Sequence, residues 1–407
     1  MAVSRQVKND YLWNTLGSTM NAASSVILLM LVTQCLGAYE GGVFALAFAV
    51  AQQFQVLGQY EMRPYQATDV SGKFPFGVYY ASRIVTCVLM LVGAATYAAY
   101  SNGIGPDFLL LVLVAVMRCF DAFEDVYHGM LQQKGRLDLA GRAFFGRVLA
   151  TVLSFAAALI ISRDIAAACI FSIAVSFVVL AVLNVPVARR FEKLRPCFDF
   201  GQLKQLLVTC FPLFLAAFLL MYLVNAPRYG IEEFLSKEYQ TYYASLFMPA
   251  MVINLLSGFI FKPLLTTMAR CWEGRRWGQF RSILMKGLLV VAGTTAFALL
   301  VGWLVGIPVL SFFYGVDLSA FRAELLVLLV GGGFNAASVI LYYGLVTMRR
   351  QKLMLVGYVV VSVLVLAFSR FSIATLGIMG AALLYDGAMA LLVVLFAVFN
   401  AATMRRA

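Results

Sequence analysis

His128 is the only histidine in the chain. That excludes metal sites built from several histidines and any mechanism that needs a histidine pair. No G-x-x-x-x-G-K-[ST] run occurs, so the usual phosphate cradle of ATP-binding proteins is missing. The seven cysteines form no framework: no pair has metal-ligand spacing, and five (Cys35, Cys87, Cys119, Cys169 and Cys210) lie in or beside apolar segments, where they read as small packing residues. Charge is scarce as well, at 12% of residues against about 25% in soluble domains. The longest connections on the sparsely charged side, 227–241 and 311–322, are too short to hold a folded catalytic domain.

What is present is apolar sequence, 62% of the chain. Runs of about 20 apolar residues span a bilayer, and twelve occur, at 12–36, 42–60, 83–101, 107–127, 147–162, 166–187, 205–226, 242–261, 287–310, 323–346, 353–369 and 375–400. The first is too long for a cleaved leader and has no small-residue cleavage pattern, so it reads as a spanning helix. The fold class is therefore all-α integral membrane.

Lys and Arg set the orientation. With a cytoplasmic N-terminus, 25 of the 31 fall on the cytoplasmic side, Arg83 and Arg147 counted among them. Five (Arg163, Arg228, Lys237, Arg322 and Arg370) fall outside, and Arg118 lies within the membrane. Both termini are then cytoplasmic. The net charge of +12 is mostly this topology signal and argues against nucleic acid as a partner.

The chain repeats itself. Arg63-Pro64 and Lys262-Pro263 each end a long apolar segment, and a shift of 199 residues places Phe44 on Tyr243, Phe48 on Phe247, Gln55 on Asn254 and Thr68 on Thr267. Phe120-Asp121-Ala122 and Phe334-Asn335-Ala336 echo one another with one inserted residue. The repeat predicts two parallel six-helix lobes, 1–195 and 196–407, around a central cleft; transporters are built this way. Gly331-Gly332-Gly333 lies inside an apolar helix and reads as a place of close helix packing.

Polar residues fall on single faces of spans 1, 2, 4, 7, 8 and 10. Asn14, Ser18, Asn21 and Ser25 follow helical spacing in the first, and Gln52, Gln55 and Gln59 in the second. Arg118, Asp121, Asp125 and His128 share a face in the fourth, with Glu124 on its flank. Tyr222, Asn225 and Tyr229 do so in the seventh, with Arg228 alongside, and Asn335, Ser338 and Tyr342 in the tenth. Hydrogen bonding within each bundle is one reading; a water-filled cleft between the halves is the other, and the recurrence in both halves favours the cleft. Arg118 reads either as the partner of Asp121 and Asp125, at i, i+3 and i, i+7, or as a cleft group that attracts an anion. Asp386, in the last span, reads as a protonated carboxyl or an ion-coupling group.

The run Gly129-Met-Leu-Gln-Gln-Lys-Gly-Arg136, the segment Asn225-Ala-Pro-Arg-Tyr229 and the stretch from Tyr242-Tyr243-Ala244 into Pro263-Leu-Leu resemble the polysaccharide flippases of the multidrug/oligosaccharidyl-lipid/polysaccharide exporter superfamily. The resemblance implies a transporter, not an enzyme, in a bacterial plasma membrane. It turns an oligosaccharide on a polyprenyl diphosphate from the inner to the outer leaflet by alternating access. The implied partners are that lipid-linked cargo, membrane lipids, glycosyltransferases and a polysaccharide polymerase. No cofactor is implied beyond a coupling H+ or Na+. A diphosphate needs a basic, hydrated route, for which Arg63, Lys262, Arg118 and Arg228 are the candidate cations, each with an alternative reading as a snorkelling or topology residue. Asn21, Gln52, Gln55, Tyr222, Asn225 and Asn335 complete the candidate substrate site; Asp121, Asp125 and Asp386 are candidate ion-coupling residues. Peptidoglycan-precursor flippases resemble the same fold with more cleft arginines and usually two more helices, so their cargo fits less well. A cation-coupled drug antiporter of the same fold is the alternative, and a polytopic glycosyltransferase or polymerase the alternative of another class.

Overall fold

A computed structural model describes residues 5–69, 72–261 and 264–405. Among them the chain forms only helices and their connections. Lys262 and Pro263, the second member of the basic-proline repeat, lie outside the described residues.

The first half runs through α1 (Arg5–Leu36), α2 (Ala38–Gln59), the short α3 (Met62–Thr68), α4 (Phe76–Asn102), α5 (Pro106–Gln133), α6 (Leu137–Ser162), α7 (Ile165–Val179) and α8 (Val185–Arg189). The second runs through α9 (Phe200–Phe234), α10 (Lys237–Phe261), the short α11 (Leu265–Glu273), α12 (Trp277–Val301), α13 (Ile307–Tyr314), α14 (Arg322–Thr347) and α15 (Gln351–Arg405). A short helix thus follows the second span of each half. In the first half α2 and α4 pack on α5; in the second, α10 and α12 pack on α14. The duplication read from residue matches is repeated in which helices touch.

Nine helices among the described residues are long and apolar enough to cross a membrane. α15, 55 residues long, breaks at Gly377, whose φ of 58° lies in the left-handed region, and so supplies two passes. α5 and α10 have spanning length, 28 and 25 residues; the charges of α5 between 118 and 125 keep it out of a purely apolar count. With these the twelve expected spans are accounted for. Large apolar side chains cover the outward faces, Val92 on α4, Phe297 on α12 and Leu366 on α15 among them. Such faces suit lipid and would be aggregation-prone in water. All seven cysteines are free thiols.

Local sequence sets the ends and crossings. Arg163 closes α6 in a left-handed conformation, φ 55°, and the Asp164 carboxylate caps α7 by accepting from the backbone N–H of Ala166 at 2.7 Å and of Ala167 at 3.2 Å. Gly141 of α6 lies against the Trp13 backbone of α1, where an added Cβ would come within 2.4 Å of it. The three glycines of α14 each admit a different neighbour: Gly331 the Tyr385 ring, Gly332 the Ala250 backbone and Gly333 the Thr295 side chain. The close packing expected of that run is what the structure shows.

The chain divides into two compact units, Met1–Met221 and Tyr222–Ala407. The division falls within α9, whereas the sequence placed a lobe boundary at 195/196. The first part of α9 is held inside the first unit: Phe214 stacks on Tyr60 with ring centres 4.4 Å apart, and the Gln53 amide donates to the Phe218 carbonyl at 3.0 Å.

Candidate functional site

In the first unit the polar face of α5 organises a buried ionic network. Asp121 accepts from Arg118, one turn earlier, at 2.6 Å, and also from Arg147 of α6. Glu124, fully buried, accepts from Arg147 Nε at 2.5 Å and from Asn184 Nδ2 at 2.8 Å, and its Oε1 lies 3.5 Å from His128 Nε2. Asp125 accepts from Arg83 of α4 at 2.9 Å and faces Arg63 of α3 at 3.6 Å. Arg83 donates in addition to the Gly58 carbonyl at 2.6 Å. Each buried carboxylate of α5 therefore has at least one guanidinium partner, which offsets the cost of taking charge out of water.

Arg118 is the hinge between this network and the two polar faces foreseen on α1 and α2. Its Nε donates to Gln55 at 3.0 Å, its Nη1 reaches Asn21 at 3.4 Å, and its guanidinium lies 5.0 Å from the centre of the Phe48 ring. Asn21, Phe48, Arg118, Asp121, Arg147 and Thr151 line a cavity of about 20 Å³, room for about one water molecule. Gln52, half-buried on α2, is not hydrogen-bonded into this cluster, whereas its neighbour Gln53 is spent on the Phe218 carbonyl.

Two residues correct the sequence reading. Arg83 and Arg147, which open two of the apolar runs and count toward the cytoplasmic side in the charge bias, are 0% and 1% exposed inside α4 and α6 and not at a water-facing end. Both stand near the start of their apolar runs, where a loop residue and a buried residue look alike. What draws them inward is the carboxylates of α5, on another helix. The i, i+7 pairing of Arg118 with Asp125 is not formed, because Arg83 and Arg63 occupy Asp125. Basic residues within the spans are accordingly less scarce than the sequence suggested.

In the second unit Arg228 of α9 is buried, at 6% exposure, with its guanidinium 5.7 Å from the centre of the Phe247 ring. Tyr222 and Tyr229 face each other along the same helix with ring centres 6.4 Å apart. Asn225 is buried between them in sequence, and Asn335 is buried on α14 beside the glycine run. Asp386 is half-buried on α15; its Oδ1 has no hydrogen-bond partner among the described residues. No cluster of metal-ligating side chains occurs among the described residues.

No protein-family model matches the chain. No curated protein matches it either. Its fold does find counterparts among solved structures. The inward closed conformation of the lipid II flippase MurJ is similar at a TM-score of 0.71 and 12% identity, covering 94% of this chain and 87% of that one. The fold is that of the MATE and MurJ transporters. The Vibrio cholerae MATE transporter VcmN in its bent form is similar at a TM-score of 0.63 and 12% identity, over 98% of this chain and 97% of that one. A MOP superfamily transporter from Pyrococcus furiosus, described as having a binding pocket of reversed polarity, is similar at 0.57 and 13% identity, over 98% and 95%.

Proposed function

We propose that this chain is a membrane transporter that turns a polyprenyl-diphosphate-linked oligosaccharide from the inner to the outer leaflet of a bacterial plasma membrane, by alternating access, with both termini in the cytoplasm. The observation that carries the reading is the state of the α5 acids. Asp121, Glu124 and Asp125 are each already held by arginine, so a cationic drug or ion would have to break buried ion pairs to reach them. Arg118 keeps a different position. It shares Asp121 with Arg147, its remaining donors meet only neutral amides, and it borders the cavity. A guanidinium so placed suits the oxygens of a diphosphate. Arg63 and the candidate Lys262 supply cations at the ends of their apolar segments, and Tyr222, Tyr229 and Tyr342 offer faces for sugar rings. The likeness to a lipid flippase of known structure supports the same direction. Glycosyltransferases would supply such a cargo and a polymerase would consume it.

The test is Arg118→Ala. Asp121 retains Arg147, so the variant strands no carboxylate and should reach normal abundance in the membrane, while export of lipid-linked glycan is lost. Full export by a well-expressed Arg118→Ala protein removes the residue from the mechanism.

A second reading, a cation-coupled antiporter, is favoured by the unpartnered oxygen of Asp386. Asp386→Asn that abolishes dependence of transport on a Na+ or proton gradient would support coupling at that site.

A further inference from the structure

A dense positive charge without compensation lies at the elbow between α11 and α12. Five cations and one acid, Glu273, fall between 264 and 286. Arg270, Arg275, Arg276, Arg281 and Lys286 are all exposed, and none is in an ion pair among the described residues. The corresponding elbow of the first unit, α3 to α4, is closed on itself. Arg63 and Arg83 both meet Asp125, and Asp69 accepts from the backbone N–H of Lys73 at 2.9 Å and from the Tyr79 hydroxyl at 3.0 Å. At the α5–α6 turn, too, Lys134 pairs with Glu192 at 2.9 Å and Arg136 with Asp138 at 3.0 Å. The α5–α6 and α11–α12 turns carry the same backbone hydrogen bonds: Gly135 donates to the Gln132 carbonyl and Arg136 to that of Leu131, as Arg275 does to Trp272 and Arg276 to Cys271. The left-handed position is a glycine in the first turn, φ 69°, and Arg275 in the second, φ 53°. A side chain is strained there, so this elbow holds a cation where glycine fits more easily.

The elbow is fixed by packing and continues a lipid-facing stripe. Met268 and Cys271 of α11 are buried, α11 packs on α12 and α14, and Trp272 meets Trp277 edge-on with ring centres 4.5 Å apart and Phe280 at 5.4 Å. The helix that starts at Trp277 is long and apolar enough to cross a membrane. Its exposed positions Arg281, Met285 and Leu289 recur every four residues and so lie on one face. Leu289 and Met285, 67% and 50% exposed, suit hydrocarbon. Arg281 lies about 6 Å further along the axis, where the chains give way to headgroups. Arg275 and Arg276 follow about one turn beyond, within the screening length of about 8 Å. Lys286, one turn from the exposed Val290, reaches the same layer by its flexible stem. Trp272 and Trp277 are partly exposed, and indoles favour that interface. We propose that the α11–α12 elbow docks anionic phospholipid headgroups of the leaflet it faces, through Arg275, Arg276, Arg281 and Lys286. Charge complementarity selects this occupant: a zwitterionic surface offers no net charge to the cluster, whereas each Lys or Arg near an anionic surface adds to the attraction. The occupant is a lipid of the bilayer itself, so the surface does not depend on the cargo assigned above.

The full-length protein in detergent micelles is titrated with phosphatidylglycerol and, separately, with phosphatidylcholine of the same chains, and bound lipids are counted by native mass spectrometry. Phosphatidylglycerol should be retained at lower concentration than phosphatidylcholine, with a preference that falls as salt rises. Arg275→Gly/Arg276→Gln/Arg281→Gln should weaken phosphatidylglycerol binding about tenfold or more and leave phosphatidylcholine binding unchanged. All three side chains are exposed and glycine relieves the strain at 275, so this variant should unfold close to the parent's midpoint. Lys134→Gln/Arg136→Gln, which removes two cations that already have carboxylates, should keep the preference. Equal retention of the two lipids, or an undiminished preference in the triple variant, overturns the proposal. Binding of a poly-glutamate peptide that is lost in the triple variant, with no preference between the lipids, would assign the surface to an acidic protein segment and overturn it likewise.

Discussion

The two halves share a helix plan and differ in how they hold charge. Asp121 on α5 and Asn335 on α14 occupy echoing Phe-x-Ala triplets on the fourth span of each half. In the first unit that position is a carboxylate, and arginines from α5 and α6 converge on it. In the second it is a neutral amide, and α12, which packs on α14, keeps its Arg281 and Lys286 exposed. One half has therefore become a closed ionic network whose members depend on each other. Among the described residues of the other, Arg228 has no acid and Asp386 no base within ion-pair distance. Duplicated architecture leaves charge compensation free to diverge, because helix packing is carried by apolar and small residues while a buried ion needs a specific partner.

The contrast can be broken most forcefully at Arg147. Arg147→Met leaves Glu124 with Asn184 and His128 alone and removes one of the two partners of Asp121, so it should cost about 3–5 kcal/mol, as one-sided loss of a buried pair does. Membrane abundance and thermal unfolding in detergent would show it, and adding Glu124→Gln should restore part of the loss. An unaltered melting profile would mean that the network contributes nothing to stability.

The shared scaffold makes the next prediction. Gly141→Ala at the α1–α6 crossing and Gly332→Ala at the α10–α14 crossing should each destabilise by about 1–3 kcal/mol, since both added methyl groups would meet backbone. Similar losses in the two halves would show that their packing has diverged less than their charge.

Arg228→Met should move stability the other way. With no carboxylate to strand, replacing the cation by an apolar side chain of similar length should raise stability by about 1 kcal/mol or more in the absence of any anion. A loss comparable to that of Arg147→Met would reveal a partner and erase the difference between the halves. The smallest effect is expected at Asp386, half-buried and unpaired. Asp386→Asn should change the unfolding midpoint by an amount equivalent to about 0.5 kcal/mol or less, so any transport defect it causes would concern ions and not folding.

Much of the site was legible in the sequence. Asn21, Gln55 and Arg118 lie on helical faces that the 3.6-residue period exposes, and the structure brings these three together. The i, i+3 pairing of Arg118 and Asp121 is equally local. Arg83 and Arg147 were not legible. A basic residue at the start of an apolar run satisfies the positive-inside bias whether it meets water or turns inward, and only the acids of a neighbouring helix distinguish the two. Gln53 escaped for a related reason, since its partner is a backbone carbonyl 165 residues away.

By itself the sequence determined the number and order of the spans, the duplication and the polar faces, because these follow from transfer of side chains to lipid and from helical period, both properties of short stretches of chain. The tertiary structure alone decided which charges cancel. Asp125 pairs with Arg83 and not with Arg118, and Arg228 has no acid among the described residues, because ion pairing falls off within a few ångströms and the distances between helices are set by packing.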